Sequence, residues 1–407
     1  MHGWCPVNLA SNVTVKKWRN ALFVVFLING LSFSSWLARV PAIRDGLGIS
    51  TSEVAALLFT GAIGAVTGLI FSSHVIAWLG QAHTILFFGL LGLLGLAGIG
   101  ASSEWLSSYP LAVVAIIIAG AGNGIADVAM NVEGSAVERE ISRSIMPWFH
   151  AFWSLGTVAG AAIATAMSFL GIGIGWHTLV MALGLTPVLI FVCRFIPRGS
   201  SATEQGETKT STTFAQRLGV WKEPRTLAIG LIALGMAFAE GSANDWLALA
   251  MVDGRDFSNG QGALWFGFFT LGMLSGRIGG VYALDRFGRV RVLQYSAGLA
   301  FVGLAVVIVI AHPVVSALGA VLWGLGSSLG FPVGMSAAAD NPRGSAARVS
   351  AVATVAYGAF LIGPPLIGYV GAQIGVLGAL WIVVALISLS FFAAPAAKPP
   401  LIPAANA

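Results

Sequence analysis

The sequence predicts an all-α integral membrane protein with twelve transmembrane helices in two six-helix halves. Three observations predict it. First, 57% of the 407 residues are hydrophobic and only 9% are charged, and the mean hydropathy is +0.87. A soluble domain carries about 25% charged residues, so lipid has to be the solvent for most of this surface. Second, cutting the chain at charges, prolines and polar clusters leaves twelve mostly apolar segments close to the ~20 residues that one crossing needs. Third, the basic residues gather on alternate connections. With the N-terminus inside, seventeen of the twenty-one Lys and Arg fall on cytoplasmic segments; Arg39, Arg44 and Arg255 fall outside, and Arg277 lies within the eighth span. That is the positive-inside asymmetry, and an odd number of spans would scramble it.

The elements follow in order. Residues 1–17 form a polar cytoplasmic N-terminus with no secretory cleavage signal. The N-terminal half, 18–196, holds spans at Trp18–Val40, Ser52–Leu79, His83–Ala101, Tyr109–Val132, Pro147–Leu170 and Trp176–Ile196. The first has no Asp or Glu; Asn29, Ser32, Ser34 and Ser35 are its main polar residues. In the second, Gly61, Gly64 and Gly68 read as close helix contacts, as do Gly156 and Gly160 in the fifth. Residues 197–223 have the composition of a flexible linker, with GSSATEQGETKTSTT at the centre. The C-terminal half, 224–396, holds spans at Thr226–Met251, Gln261–Leu284, Val292–Ala311, Val314–Ala338, Ala347–Ala372 and Val376–Ala394, and 397–407 form a cytoplasmic tail. Gly330-Phe331-Pro332 and Gly363-Pro364-Pro365 are expected to bend the tenth and eleventh spans. The halves echo each other weakly: Gly120, Gly122 and Gly124 in the fourth span answer Gly324, Gly326 and Gly330 in the tenth. Two six-span halves around a long linker point to a transporter built from repeats, with its site near the midplane between them.

Motifs narrow this. The connection after the eighth span reads Asp285-Arg286-Phe287-Gly288-Arg289-Val290-Arg291. It resembles the D-R-x-G-R-x-R loop of the major facilitator superfamily, which that family carries after its second and eighth helices. The N-terminal copy, Trp78-Leu79-Gly80-Gln81-Ala82-His83, keeps neither the acid nor the arginines. The resemblance implies a major facilitator fold over nearly the whole chain. A narrower one rests on Asp127-Val128-Ala129-Met130-Asn131-Val132-Glu133-Gly134 with Met146-Pro147-Trp148-Phe149-His150-Ala151 and Ser154-Leu155-Gly156. These stretches are similar to a bacterial branch related to fucose permease. That likeness implies proton-coupled sugar import through carboxylates in the first and fourth spans. Asp127 or Glu133 matches the fourth-span acid, and the first span offers none.

Ionisable groups inside spans cost roughly 2.5–3.5 kcal/mol at a helix centre on insertion scales, and they face cavities or partners. Asn123, Asp127 and Asn131 recur every four residues, a stripe about 80° wide. They are expected on the cavity, with a polar seam between packed helices as the structural alternative. Glu240 and Asn244 form the matching pair in the seventh span. Either Asp127 or Glu240 is the expected proton carrier. Glu133, about 120° from Asp127, is grouped with these two acids for proton coupling, and reads otherwise as a gate carboxylate paired with a loop base or as a solvated helix end. His150 is either a proton-path or substrate residue or an interfacial histidine. Arg277 pairs with Glu240 or Asp245, or it joins Asp285, Arg286 and Arg289 in a cytoplasmic gate, the preferred reading. Asp245 lies nearer the outer end and is expected to meet water. Trp36, Trp153, Trp246, Trp265 and Trp323 could stack on a ligand; Trp246 and Trp265 are taken with Asn29, Asn123, Asp127, Asn131, His150, Glu240 and Asn244 as the substrate set.

The partners expected are a small-molecule solute, protons and lipid, on a monomeric protein in the bacterial cytoplasmic membrane. No cofactor, metal site, nucleic-acid partner or enzyme motif is expected: basic residues come in short pieces, Cys5 and Cys193 are too few for a disulfide framework, and there is no P-loop to suggest ATP-driven transport. The leading function is proton-coupled symport of a sugar or polyol. The alternative is a proton-coupled exporter of drugs or metabolites, against which the fifth span lacks the Gly-Pro pair of drug antiporters. A receptor without flux is the third reading.

Overall fold

The computed structural model describes residues 12–143, 145–197, 219–340 and 344–399. The expected linker core, the extreme N-terminus and the end of the tail lie outside them. Among the described residues, eleven helices are long and apolar enough to cross a membrane, and one of them is double. The double helix, Asn259–Val309, folds across Gly288, whose φ of 72° and ψ of 164° break the helical path. Twelve crossings result.

In chain order, α1 is Asn12–Leu37, α2 Val40–Leu47, α3 Thr51–Leu79, α4 Gln81–Gly100, α5 Tyr109–Ile141, α6 Met146–Phe169 and α7 Ile174–Cys193. The second half holds α8 Pro224–Arg255, α9 Asn259–Val309, α10 Pro313–Ser327, α11 Gly330–Ala338, α12 Ser345–Ile374, α13 Val376–Ala379 and α14 Trp381–Ala393. The short α2 was not anticipated. It lies between the first two spans and defines one end of the bundle, here called the α2 end. The opposite end, where residues 197 and 219 flank the linker, is the linker end.

Local chemistry sets these boundaries. Proline occupies the first turn of α5, α6, α8 and α10, where its missing N–H costs nothing. Ser50 with Glu53 and Ser258 with Gln261 form capping boxes at the starts of α3 and α9, each satisfying two orphan donors. These two helices are repeat equivalents, and so are the breaks that end their first spans. Gly80 has φ 74° and ψ 159°, almost the geometry of Gly288. A residue with a Cβ is strained at positive φ, so the repeat keeps its glycine although the N-terminal copy has lost the charges. As anticipated, the tenth span is interrupted, between α10 and α11, just before Gly330; α12 continues through Pro364 and Pro365.

Large apolar side chains such as Ile70, Phe71, Leu94, Leu183, Val309 and Phe392 are exposed on the rim, the surface a bilayer covers. Inside, small residues let backbones meet. A Cβ on Gly30 would fall on the carbonyl of Trp153, and one on Gly156 on that of Leu27, so α1 and α6 pack backbone to backbone. At the linker end, Glu138 near the end of α5 accepts from the backbone N–H groups of Ile145 and Met146, at 2.6 and 2.7 Å. It caps the start of α6.

Candidate functional site

A cavity of about 330 Å³ lies between the halves. Asn29 reaches it from α1, and its Oδ1 accepts from Trp153 Nε1 at 3.0 Å. Asn123 and Asp127 reach it from α5, held on one face by their four-residue spacing. From the other half, α8 contributes Asn244 and Asp245, and α12 contributes Tyr357 and Phe360. Phe33, Trp36 and Trp153 complete the aromatic wall. Amides that donate and accept, two carboxylates and ring faces can together hold a small polar solute.

A narrow adjoining pocket holds Glu240, Asn244, Thr157 and Arg277. Here Arg277 ties three helices together. Its Nη1 donates to Ser154 Oγ on α6 at 2.7 Å, its Nη2 to Glu240 Oε1 on α8 at 3.3 Å. Its guanidinium carbon sits 5.2 Å from the centre of the Trp153 ring, a cation–π contact. Trp153 thereby connects the first-span amide Asn29 to an ion pair of the C-terminal half, and the Arg277–Ser154 bond is what crosses between the halves.

The fold and the cavity between two six-helix halves have known counterparts. A family model described as Major Facilitator Superfamily matches residues 135–360, over half of the chain. The chain belongs to the major facilitator superfamily. It is 28% identical over 368 residues to an uncharacterised MFS-type transporter of Yersinia pestis, covering 90% of this chain and 92% of that protein. A crystal structure of the nucleoside transporter NupG superposes with TM-score 0.77 at 13% identity, covering 94% of this chain and 100% of that one. The Escherichia coli fucose:proton symporter FucP superposes with TM-score 0.60 at 16% identity, covering 94% and 98%. At those identities the likeness establishes the fold.

In this major facilitator chain several expectations need correction. Arg277 is not a partner of Asp285. Eight residues separate them, about 12 Å along a helix, and Arg277 is engaged by Glu240 and Ser154. Asp285 is exposed, without a hydrogen-bond or ion-pair partner among the described residues. Arg286 donates to Tyr282 Oη at 3.0 Å. Arg289 pairs with Asp340, whose other oxygen accepts from Arg225 at 2.8 Å. Of the loop set, only Arg289 enters a linker-end network among the described residues, and that network lies within the C-terminal half.

Asn131 does not line the cavity. Its amide turns back on its own helix and donates to the Asp127 carbonyl at 2.8 Å and to Asp127 Oδ1 at 3.4 Å. The drift of the stripe carries it off the wall, where it orients the acid. Glu133 is fully buried, not a solvated helix end, and lies off the cavity. His150 is exposed in the first turns of α6, edge-on to Phe26 with ring centroids 5.5 Å apart, also off the cavity wall. Trp246 is completely buried and packs toward Gly368. Trp265 is buried within its half, where it donates to Ser316 at 3.1 Å and packs on Phe257. Neither tryptophan faces the cavity, because the helix turns that present Asn244 and Asp245 point Trp246 the other way.

Asp245, Tyr357 and Phe360 are wall residues absent from the expected set, and Ser154 is the missed partner of Arg277. A signal existed for Asp245: it stands four residues after Gly241, on the same face of α8, and both line the cavity. No such signal marked Ser154, whose role depends on a helix of the other half.

The α2 end is sealed across the halves. Arg44 pairs with Asp253, and Asn259 Nδ2 donates to Asp45 Oδ2 at 3.1 Å. A Cβ on Gly368 of α12 would fall on Ala55 of α3. At the linker end the ion pairs among the described residues, Arg225–Asp340, Arg289–Asp340 and Arg348–Glu223, all lie on the C-terminal side of the linker. Arg39, counted among the outer bases, is buried and donates to the carbonyl of Ile172 at 3.0 Å.

Proposed function

We propose that this chain is a secondary active transporter that moves a small polar solute, a sugar or polyol, together with a proton by alternating access. One observation carries the reading: Asn29, Asn123 and Asp127 from one half converge with Asn244 and Asp245 from the other on a single cavity. A site split between two halves changes when the halves rock, which couples occupancy to access. Protonation then biases the two states through its different affinity for each. Asp127 is the proposed proton carrier, since Glu240 is committed to Arg277. Asp285, Arg286 and Glu133 have no part in the site, and Arg277, held by Glu240 of its own half, acts as an inter-half tie through Ser154.

The basic residues support a bacterial cytoplasmic membrane location with the linker end and both termini inside. In that orientation the sealed α2 end is the outer one, and the cavity faces inward. The test is uptake by proteoliposomes under an imposed pH gradient, inside alkaline, against a panel of labelled sugars and polyols. Accumulation that collapses with a protonophore and is lost in Asp127→Asn is expected. Gradient-independent uptake would overturn the coupling. Export by proton exchange is the second reading, favoured by the aromatic share of the wall; dye extrusion from overproducing cells distinguishes it.

A further inference from the structure

The central cavity is unbalanced in charge. Asp127 enters it from one half and Asp245 from the other, while no Lys, Arg or His lines it among the described residues. Arg277 faces the adjoining pocket, where its fork is filled by Ser154 and Glu240. The two acids also differ in their surroundings. Asp127 receives the Asn131 amide, whereas Asp245 has no hydrogen-bond or ion-pair partner among the described residues. Aromatic rings line the same space, with Trp36, Trp153 and Phe360 among them.

Carboxylates at membrane depth need a partner. A proton can neutralise one. A neutral sugar offers only hydroxyls and would leave the second charge uncompensated, and an anionic solute would add repulsion. An ammonium group set against a carboxylate gains a charge-assisted bond, and ring faces attract it further. A cavity with two acids, no base and an aromatic wall is thus complementary to one proton and one organic cation.

We propose that the transported solute is a small organic cation bearing an ammonium group, and that Asp245 is the specificity-determining counter-charge. Asp127 keeps the proton, and Asn29, Asn123 and Asn244 meet the solute's hydroxyls. This rests on the transport reading above and narrows its sugar or polyol to a positively charged one.

The experiment measures binding by melting shift and calorimetry on the purified full chain in detergent, with charge-matched probes. Glucosamine, glucose and glucuronate share one ring and differ in charge; choline and its uncharged carbon isostere form a second set. The expected result is that a cationic member binds at least about tenfold tighter than its neutral match, the scale of one charge-assisted contact. Asp245→Asn should erase that preference and Asp245→Glu should keep it. Asp127→Asn should keep the preference while losing proton-dependent uptake. The proposal is overturned if a neutral or anionic member binds as tightly as the cation, if no cation in either set binds, or if Asp245→Asn, still folded by its melting curve, retains the preference. If glucose binds and is taken up by proteoliposomes, this inference falls while the transport reading stands. If a cation binds with no flux, the transport reading falls instead.

Discussion

Replacing Arg277 by Gln probes the ion pair that α9 makes with α8, beside the one bond Arg277 sends across to Ser154 of the other half. The native ion pair spans 3.3 Å, with the arginine side chain 22% exposed and the Glu240 side chain 16% exposed. Two unit charges at that separation attract by about 5 kcal/mol at an effective dielectric constant of about 20. Burial costs each ion several kcal/mol of hydration. Arg277→Gln removes the attraction and leaves Glu240 with its lost hydration. A fully buried pair broken from one side loses about 3–5 kcal/mol; partial exposure lowers this, and a loss of about 2–3 kcal/mol is expected. Glu240→Gln strands the guanidinium, which still keeps Ser154 and the Trp153 ring, so about 1–2 kcal/mol is expected. The double variant replaces both charges with amides that can bond each other. It should be more stable than the sum of the single effects predicts by about 1–2 kcal/mol. Arg277→Lys should fall between, because an ammonium lacks the fork that reaches two partners. Equilibrium unfolding in mixed micelles, titrated with SDS and followed by tryptophan fluorescence, supplies the free energies. Strict additivity of the two single variants would refute the pairing.

Three further outcomes follow from the geometry. Gly156→Val should separate α1 from α6, since a Cβ there already meets the Leu27 carbonyl; overpacking of this kind costs about 1–3 kcal/mol, read as a lower melting temperature, and an unchanged melt would remove the close contact. Asp253→Asn, which breaks the pair with Arg44, should raise the alkylation rate of a thiol placed by Ala55→Cys, whereas an unchanged rate would show that the α2 end is closed by packing alone. Glu223 is held below the ordinary carboxylate value of 4.5, chiefly by hydrogen bonds from Arg348 at 2.6 and 2.9 Å. A depressed folded-state pKa stabilises the protein above the unfolded value, and the gain is lost as pH falls through the folded one. Glu223→Gln should therefore flatten the acid limb of the melting-temperature profile, and a limb identical to that of the native chain would contradict the bridge.

Twelve crossings were readable because each needs only a run of apolar residues, and the charge asymmetry checked the count independently. Asn123 and Asp127 were readable because a four-residue spacing on one helix needs no other helix to place it. Asn131 has the same spacing and failed, since the amide found a nearer acceptor on its own chain. Trp246 and Asp245 are neighbours in sequence but lie about 100° apart on the helix, and the stacking argument for the ring, with the outer-end placement of the acid, favoured the wrong one. Arg277 was misassigned for a further reason. Glu240, 37 residues away, was among the partners offered for it and is one, but motif proximity made the gate with Asp285 the preferred reading, and Ser154, 123 residues away on the other half, was not foreseen. Gly80 shows the reverse case. Its motif had lost every charge, yet the backbone angles that Gly288 also adopts persist, because the turn depends on a missing side chain.

The seal at the α2 end has a kinetic consequence. Among the described residues its cross-half polar contacts are an Arg–Asp pair whose side chains are 20% and 30% exposed and one amide–carboxylate bond. Water-accessible pairs contribute about 0–1 kcal/mol each, comparable with the thermal energy of about 0.6 kcal/mol. The polar part of the closure can be undone by ordinary fluctuation, leaving the packing of Gly368 on Ala55, and dissolved ions weaken that polar part further over a screening distance near 8 Å at physiological strength. If these contacts limit the turnover step, the cycling rate of this protein should depend on the salt of the compartment that bathes that end.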